Sequence, residues 1–201
     1  MQPDYIVVGA GSAGSLVAAR LSETRANVLL LEAGPDAWHP LIHIPAGVRS
    51  LHRNPALNWT YYSEPHPATA NREIHWPRGR VIGGSGSING MLYVRGNARD
   101  YDNWAALGCT GWSYADVLPY FKKTEGYAGG DPRYRGRDGP LQVVDYKAHL
   151  ELTHRFVKAA QEAGVPFSAD YNGAQQEGVA YAQMTRLGRF RGSTAFALLR
   201  P

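Results

Sequence analysis

The chain contains 201 residues, with a formal net charge of +4 and 44% hydrophobic residues. This length suits one domain or slightly more, and the composition is ordinary for a globular protein. Lysine and arginine form only mild clusters, at residues 133–137 and 186–191, which we interpret as solvated loop surface. No nucleic acid is therefore expected as a partner. The single cysteine, Cys109, excludes an internal disulfide and fits a reducing compartment.

No part of the sequence has the pattern of a targeting signal or a membrane span. The first predicted strand begins at Tyr5, which leaves no room for a signal or transit peptide before it. No run approaches the roughly 20 consecutive apolar residues of a transmembrane helix. We therefore expect a cytoplasmic protein.

The N-terminal residues have the pattern of a βαβ unit. The apolar run Tyr5–Val8 predicts a strand, and Ser15–Leu21 predicts an amphipathic helix. The run Val28–Leu31 has no polar alternation, as expected of a strand that is buried on both faces. The sequence G-A-G-S-A-G, from Gly9 to Gly14, lies between the first strand and the helix. This order predicts a Rossmann-like α/β fold that binds a dinucleotide.

The glycine-rich turn has a recognisable physical design. Gly9 allows the tight turn, Gly11 allows the backbone to approach a pyrophosphate, and Gly14 allows the helix to pack on the strand. The unpaired N–H groups of Ser12, Ala13 and Gly14 would then face the phosphates, aided by the helix dipole.

An acidic residue ends the second predicted strand. Glu32 follows Gly14 by 18 positions, and its carboxylate can accept hydrogen bonds from the ribose hydroxyls of an adenosine. No basic residue follows closely, so the pattern does not favour NADP. This motif by itself also allows an NAD-dependent dehydrogenase.

After residue 34 the sequence patterns that predict helices and strands are less regular. Residues 35–78 show no sustained period, and such a long irregular segment usually wraps a ligand or another domain. In chain order, the later patterns predict helices over 100–107, 113–124 (with Ser113 as N-cap) and 149–163, strands over 141–144 and 179–185, a loop over 126–139, a turn at Gly188, and the start of a helix over 193–199.

A second glycine-rich segment runs from Pro77 to Gly96. Its glycines remove side chains where a backbone can approach a ligand, and its serines and arginines supply hydroxyls and charge. A short helix over 86–92 could direct N–H groups toward the same ligand. The residues alone leave two alternatives open, a phosphate-binding loop and a plain glycine turn. The groups concerned are Gly83, Gly84, Ser85, Ser87, Arg78 and Arg80.

The two glycine segments together resemble those of a known family. The run R-G-R-V-I-G-G-S-G-S-I-N-G, with G-A-G-S-A-G and E-A-G (residues 32–34), is similar to the glucose-methanol-choline (GMC) oxidoreductases, and most similar to their choline dehydrogenase-like flavin alcohol dehydrogenases. The likeness covers the whole chain. It continues in Y-V-R-G (93–96), D-Y-D-N-W (100–104), G-W-S-Y-A-D-V-L-P-Y-F-K-K-T-E (111–125), D-G-P-L (138–141) and D-Y-N-G (170–173).

The resemblance implies a domain organisation that is incomplete relative to the family. Residues 1–135 would be the N-terminal part of an FAD-binding domain with long ligand-wrapping loops. Residues 136–192 would begin an α+β substrate-binding domain, and residues 193–201 would begin the return to the FAD-binding domain. The strand Tyr5–Val8 would then pair on one side only, so we expect the isolated chain to be marginally stable and to bind FAD weakly.

The resemblance also assigns cofactor contacts. Gly9, Gly11 and their neighbours would hold the FAD pyrophosphate, Glu32 would bind the adenosine ribose, and the later residues would lie along the ribityl chain and isoalloxazine ring. Ile88 stands where some family oxidases carry a histidine bonded to the flavin, so non-covalent FAD is expected. The implied contacts are Gly9, Gly11, Ser12, Ala13, Gly14, Glu32, Ala33, Arg80, Val81, Gly83, Gly84, Ser85, Asn89, Gly90, Met91 and Leu92.

No catalytic base or metal ligand is predicted in this chain. Of the seven histidines, His39 and His43 flank Pro40, which disfavours a helix, and His149 and His154 are five apart, which does not place them on one helix face. In the family the catalytic histidine comes from a C-terminal region that has no counterpart among these residues.

The resemblance therefore implies an FAD-dependent oxidoreductase acting on the CH–OH group of a small alcohol such as choline, with this chain supplying the FAD-binding part. The alternative is a non-catalytic, truncated FAD-binding fragment. The expected partners are the alcohol and an electron acceptor, which is a quinone, another carrier or oxygen. Peripheral association with the inner membrane through such an acceptor stays open.

Overall fold

The computed structural model describes residues 2–199, which form two compact units. The first unit contains the chain up to Met91 together with the segment from Arg186, and the second runs from Leu92 to Thr185. The functional boundaries expected from the sequence, at 135 and 192, concern cofactor and substrate binding and stay a prediction. Residue 1 of the first predicted domain and residues 200–201 of the last lie outside the described part of the chain.

The first unit opens with the predicted βαβ unit. Strand β1 (Tyr5–Val8) is followed by helix α1 (Ser12–Ser22) and strand β2 (Val28–Leu31). The strands are parallel, with Tyr5 opposite Val28 and Val8 opposite Leu31. Helix α1 begins three residues earlier than the amphipathic run, directly after Gly11. The α/β prediction is confirmed.

The long segment after β2 is more ordered than its sequence suggested. It contains helices α2 (Pro40–His43) and α3 (Val48–His52) and the antiparallel strands β3 (Tyr61–Tyr62) and β4 (His75–Trp76), with 3₁₀ turns at Pro45–Gly47 and Pro67–Thr69. The inference that Pro40 disfavours a helix was wrong, because Pro40 occupies the first helical position, where its missing N–H costs nothing.

The core of the first unit joins these short elements to the second glycine segment. Ile42 and Leu51 from the long segment pack with Val81 and Ile88, all at 1% exposure or less. The short helix expected over 86–92 is instead a 3₁₀ turn over Gly84–Ser87. The backbone is left-handed at Gly83, before the turn, and at Gly84, its first residue, and Met91 also has a positive φ of 64°, so no regular helix can run through this segment.

The second unit contains the three long helices that the sequence predicted. They are α4 (Ala98–Ala106), α5 (Tyr114–Thr124) and α6 (Glu151–Glu162). Helices α4 and α5 each begin with a capping box, formed by Asn97 with Asp100 and by Ser113 with Asp116. These local signals explain why the helix predictions are confirmed.

The strands of the second unit differ more from the predictions. The loop expected over 126–139 begins inside strand β5 (Glu125–Tyr127), which pairs in parallel with β6 (Leu141–Asp145). The strand expected over 179–185 is β7 (Gln183–Leu187), whose first residues pair with β6. Its last residues belong to the first unit, where they pair with β8 (Phe190–Arg191) across the predicted turn at Gly188. The helix expected over 193–199 is a π-helix at Ala195–Leu199.

Two arginines overturn the interpretation of both basic clusters as solvated surface. Arg135 and Arg191 are each 1% exposed. Charge clustering in the sequence cannot separate these side chains from exposed neighbours such as Arg133, because their burial depends on acceptors far away in the chain.

The two-stranded sheet of the first unit carries exposed apolar side chains. Ile6 is 59% exposed and Val8 82%. Leu29 is 43% exposed and Leu31 45%, so the expectation that the run Val28–Leu31 is buried on both faces was wrong for this two-stranded sheet. Among the described residues β1 pairs with β2 alone, in agreement with the expectation of pairing on one side.

Candidate functional site

A cleft lies at the carboxyl edge of the β1–β2 sheet. It has a volume of about 540 Å³ and is lined by residues from both glycine segments. The edge where parallel strands end and a glycine turn begins is the usual ligand site of such sheets. The lining residues are Val8, Gly9, Gly11, Leu31, Glu32, Ala33, Trp59, Gly79 and Gly84.

The first glycine turn leaves space where a ligand would need it. Gly9 is left-handed, with φ of +93°, and its N–H donates to the Leu31 carbonyl at 2.7 Å. A Cβ added at Gly14 would lie 1.8 Å from the Gly9 oxygen, so only glycine allows α1 to approach the turn this closely. A Cβ at Gly11 meets no atom within 4 Å and would project into free space.

The N-terminus of α1 is suited to an anion. Its N-cap, Gly11, makes no side-chain cap, and no acidic residue lies in the first turn. The amides of Ser12, Ala13 and Gly14 therefore have no intrahelical acceptor, and Ser12 and Ala13 are exposed. Such a terminus binds phosphate through these amides and the helix dipole.

Glu32 holds the two sides of the cleft together. One carboxylate oxygen accepts from the Ala10 N–H at 2.8 Å, and the other accepts from the Gly34 N–H at 2.9 Å. Each oxygen has a second lone pair, so the half-buried carboxylate can still accept a hydroxyl hydrogen. The sequence predicted the acidic residue but not its bonds to the backbone.

The second glycine segment packs directly on the first. The Gly83 N–H donates to the Ala10 carbonyl at 2.7 Å. A Cβ at Gly84 would lie 2.7 Å from the Gly11 Cα, and a Cβ at Gly34 would lie 2.0 Å from the Arg80 carbonyl oxygen. Backbone meets backbone at these points, which explains why both segments are rich in glycine.

Some predicted contact residues make other interactions. The Arg80 guanidinium donates to the Pro55 carbonyl at 3.2 Å and lies 5.5 Å from the Trp59 ring centre. The Ser85 hydroxyl accepts from the Gly79 N–H at 3.1 Å. Val81 is buried in the apolar core and can contact a ligand only through its backbone.

The remaining predicted contacts divide between exposed and buried positions. Asn89 and Gly90 are exposed, Met91 is buried with a left-handed backbone, and Leu92 is exposed in the second unit. The cleft itself brings together only five of the predicted residues, namely Gly9, Gly11, Glu32, Ala33 and Gly84.

Sequence reasoning missed Trp59 at this cleft. Its side chain is 41% exposed and stacks on Tyr61, with ring centres 6.0 Å apart. Its N–H donates to the Arg78 carbonyl at 2.9 Å, and the neighbouring Asn58 is 2% exposed. The available signal was an aromatic cluster, W-T-Y-Y, inside a segment without periodicity.

Among the described residues, no histidine lines the cleft. His39 and His66 cap short helices by accepting from backbone N–H groups. His149 and His154 do approach each other, with ring centres 5.5 Å apart, because His149 precedes α6 and is not part of it. Within residues 2–199, no group of three or more metal-ligating side chains could hold a metal ion.

The second unit contains a buried ionic cluster that the sequence did not reveal. Glu125, at 0% exposure, accepts from Arg95 at 2.8 Å and from both Nε and Nη2 of Arg135, at 3.0 and 2.8 Å. Arg135 also pairs with Asp170. Despite the opposing effect of desolvation, these carboxylates keep the pKa of Arg135 above its ordinary value. We interpret the cluster as structural, because all three guanidinium nitrogens of Arg135 and both terminal nitrogens of Arg95 donate to protein oxygens. Nε of Arg95 is buried without a partner among the described residues.

The glycine turn, the open helix N-terminus and the acid at the end of β2 define a dinucleotide-binding α/β protein. A family model described as GMC oxidoreductase matches residues 3–201. The chain belongs to the GMC oxidoreductase family, whose members are FAD flavoproteins.

Individual relatives agree with this assignment. The chain is 50% identical to an oxygen-dependent choline dehydrogenase of Sinorhizobium fredii (strain NBRC 101917 / NGR234), over 100% of this chain and 37% of that protein. Among solved structures, a pyridoxine 4-oxidase from Mesorbium loti is similar with a TM-score of 0.93 and 34% identity, over 98% of this chain and 39% of the other. An FAD-dependent oxidoreductase from Chaetomium thermophilum is similar with a TM-score of 0.87 and 30% identity, over 98% and 36%. The chain thus spans well under half the length of these relatives.

Within residues 2–199, no helix is both long and apolar enough to cross a membrane.

Proposed function

We propose that this chain binds FAD and supplies the cofactor-binding part of an oxidoreductase that acts on the CH–OH group of small alcohols. The observation that carries the proposal is the contact of the two glycine segments along one cleft, where Gly83 bonds to Ala10 and Gly84 packs on Gly11. The space beside Gly11 and the open N-terminus of α1 fit a pyrophosphate.

The chain's own residues would bind and orient the cofactor. The amides of Ser12, Ala13 and Gly14 would donate to the phosphates, and Glu32 would accept from ribose hydroxyls while fixing the turn through Ala10. FAD, when bound, supplies the redox chemistry by accepting a hydride from the alcohol carbon. The other proposed contacts are Gly9, Gly11, Ala33, Arg80, Val81, Gly83, Gly84, Ser85, Asn89, Gly90, Met91 and Leu92.

We propose that the FAD is held without a covalent bond. Ile88 is 1% exposed, packs in the apolar core and has no nucleophilic atom. The test is acid precipitation of flavin-loaded protein, from which the yellow colour is expected to pass into the supernatant. Flavin that stays with the pellet would contradict non-covalent binding.

Similarity to the relatives supports the proposed substrate and electron acceptor. Similarity to a choline dehydrogenase favours choline or another small alcohol, with a quinone, another carrier or oxygen as acceptor. A cytoplasmic location with peripheral contact to the inner membrane fits such an acceptor. We propose no base among these residues for removal of the hydroxyl proton. We keep the expected division into an FAD-binding part (1–135), a substrate-binding part (136–192) and a returning segment (193–201).

Titration of the chain with FAD tests cofactor binding. Because Trp59 lines the cleft, FAD is expected to quench its fluorescence, and Trp59→Phe should remove much of that quenching. The matched control Trp112→Phe, an exposed tryptophan of the second unit, should leave the FAD-dependent change intact. A folded protein that shows neither quenching nor flavin retention would refute the proposed function.

The alternative is a non-catalytic FAD-binding fragment. A dye-reduction assay with choline and simple primary alcohols, with FAD added, separates the two. Turnover by this chain would exclude the fragment, whereas FAD binding without turnover would support it.

A further inference from the structure

Arg191 is a buried cation of the first unit that pairs with no carboxylate of the described residues. Its side chain is 1% exposed, yet no carboxylate within the described residues forms an ion pair with it. Burial alone lowers the pKa of its guanidinium to about 10. Burying an unpaired charge costs several kcal/mol, whereas a methionine of similar length would fill the same space without that cost. Packing alone therefore does not explain an arginine at this position.

The hydrogen bonds of Arg191 join two distant segments. Its Nε donates to the Ile42 carbonyl of α2 at 2.9 Å. Its Nη1 donates to the Asn89 backbone carbonyl and, at 3.0 Å, to the Asn89 side-chain oxygen. The partner Asn89 precedes Arg191 by 102 positions. Arg191 therefore fixes the turn that follows the second glycine segment to the core elements near α2.

The turn that Arg191 holds is an unusual one. The same Asn89 side-chain oxygen accepts from the Met91 N–H at 2.9 Å, and Met91 is left-handed with φ of 64°. A non-glycine residue in this conformation needs surrounding structure to hold it there. Between the two lies Gly90, where an added Cβ meets no atom within 4 Å, so free space adjoins the turn.

The guanidinium has more donors than the fold uses. Nη2 is buried and has no hydrogen-bond partner among the described residues. The next hydroxyls along the chain, Ser193 Oγ and Thr194 Oγ1, are also buried without a partner. Buried donors without a partner are uncommon in folded proteins, and Nη2 belongs to the same guanidinium that bonds to Asn89.

We propose that Arg191 is a positioning residue for the cofactor: it holds the Asn89–Met91 turn in the conformation that contacts the flavin side of FAD. This inference rests on the proposed function, because the turn is one of the proposed contacts. Arg191 acts through Asn89 and does not itself take part in hydride transfer.

The experiment compares Arg191→Met with Arg191→Lys and with the matched control Arg189→Met, an exposed arginine two residues away. Two quantities are measured on the 201-residue protein. The first is hydrogen–deuterium exchange of peptides covering 88–92 without FAD, and the second is the dissociation constant for FAD from flavin fluorescence.

We expect Arg191→Met to speed exchange at 88–92 at least tenfold and to raise the dissociation constant for FAD about tenfold, or about 1.4 kcal/mol. Arg191→Lys should give a smaller effect, because one ammonium cannot reproduce the fork that reaches both Ile42 and Asn89. Arg189→Met should change neither quantity. Unchanged exchange, or faster exchange with unchanged FAD affinity, would overturn the positioning role.

A double-mutant cycle covers the case in which Arg191→Met fails to fold. Asn89→Ala removes the exposed partner, and its effect on FAD affinity should not add to that of Arg191→Lys, because both changes release the same turn. Additive effects would overturn the proposal. Failure of the proposed function has a different signature: the unaltered chain would not bind FAD at all, while exchange at 88–92 would still respond to Arg191.

Discussion

The two units of this protein differ in the contacts that stabilise the interior of each one. In the first, the cleft between the glycine segments is made of backbone, with Gly83 bonded to Ala10 and Gly14 packed on the Gly9 carbonyl. In the second, a Glu125 carboxylate with two arginines occupies the interior. A binding site that is formed by backbone at glycine positions can be recognised from the spacing of glycines in the sequence. A core that is formed by charged side chains gives almost no such signal.

The largest effect is expected from breaking the ionic cluster. Glu125→Gln keeps the shape of the side chain but leaves Arg95 and Arg135 without a counter-charge, so we expect a loss of about 3–5 kcal/mol in the free energy of unfolding. Chemical denaturation measures this loss. The control Glu151→Gln breaks an exposed pair with Arg155 and should cost at most about 1 kcal/mol. Equal effects of the two changes would show that the cluster is not structural.

A second pair of variants separates the two uses of glycine in the cleft. Gly14→Ala places a Cβ 1.8 Å from the Gly9 oxygen, so both thermal stability and FAD binding should fall. Gly11→Ala meets no atom within 4 Å, and its φ of −72° suits any residue. It should therefore leave the melting temperature unchanged while weakening FAD binding about tenfold, because the methyl group occupies ligand space. Unimpaired FAD binding by Gly11→Ala would argue against a phosphate at this turn.

A third variant tests the carboxylate that joins the turn to β2. Glu32→Gln presents an NH₂ group to one of the two backbone amides that now donate to the carboxylate, so one hydrogen bond is lost. We expect FAD affinity to fall about tenfold and stability by about 1–3 kcal/mol. The exposed Glu23, which pairs with Arg20, supplies the control Glu23→Gln. If Glu32→Gln behaved like that control, the carboxylate would have no role in the cleft.

The smallest effect concerns alkaline pH. Burial raises the pKa of Tyr93, Tyr127 and Tyr171, all in the second unit, above the ordinary value of 10.0. Above pH 10 the unfolded state loses these phenol protons while the folded state still keeps them. The contribution of the three neutral phenols to the free energy of unfolding is therefore fully present below pH 10 and decreases as the pH rises above that value. Denaturation curves from pH 8 upward, with tyrosinate absorbance as a second readout, measure this. Stability that rose above pH 10 would contradict the burial of these phenols.

Much of the fold was predictable because its signals are local. The βαβ unit follows from two apolar runs around a glycine turn, and helix α5 follows from the cap at Ser113. Helix α4 begins two residues before its predicted start, because the cap at Asn97 was not recognised in the sequence. The short elements after β2 were not predicted, since helices such as α2 are too short to show a period. Strand β7 was displaced from its predicted position because its register depends on pairing with β6.

The candidate site divides in the same way. Glycine spacing predicted Gly9, Gly11, Glu32 and Gly84, which all line the cleft, because each acts through its own backbone or at the end of its own strand. The cleft position of Trp59 was missed because it depends on contacts with distant residues, such as the bond of its N–H to the carbonyl of Arg78, nineteen positions away.

The sequence by itself determined the βαβ unit and the glycine turn, because these depend on residue spacing over short stretches, and its resemblance to the GMC oxidoreductases indicated membership in a flavoprotein family. Only the tertiary structure decided that Gly83 bonds to Ala10 and Gly84 packs on Gly11, that Arg135 and Arg191 are buried, and that Arg191 bonds to Asn89. The physical reason is that a long charged side chain costs free energy when buried unless oxygens surround it, and those oxygens come from residues far away in the chain.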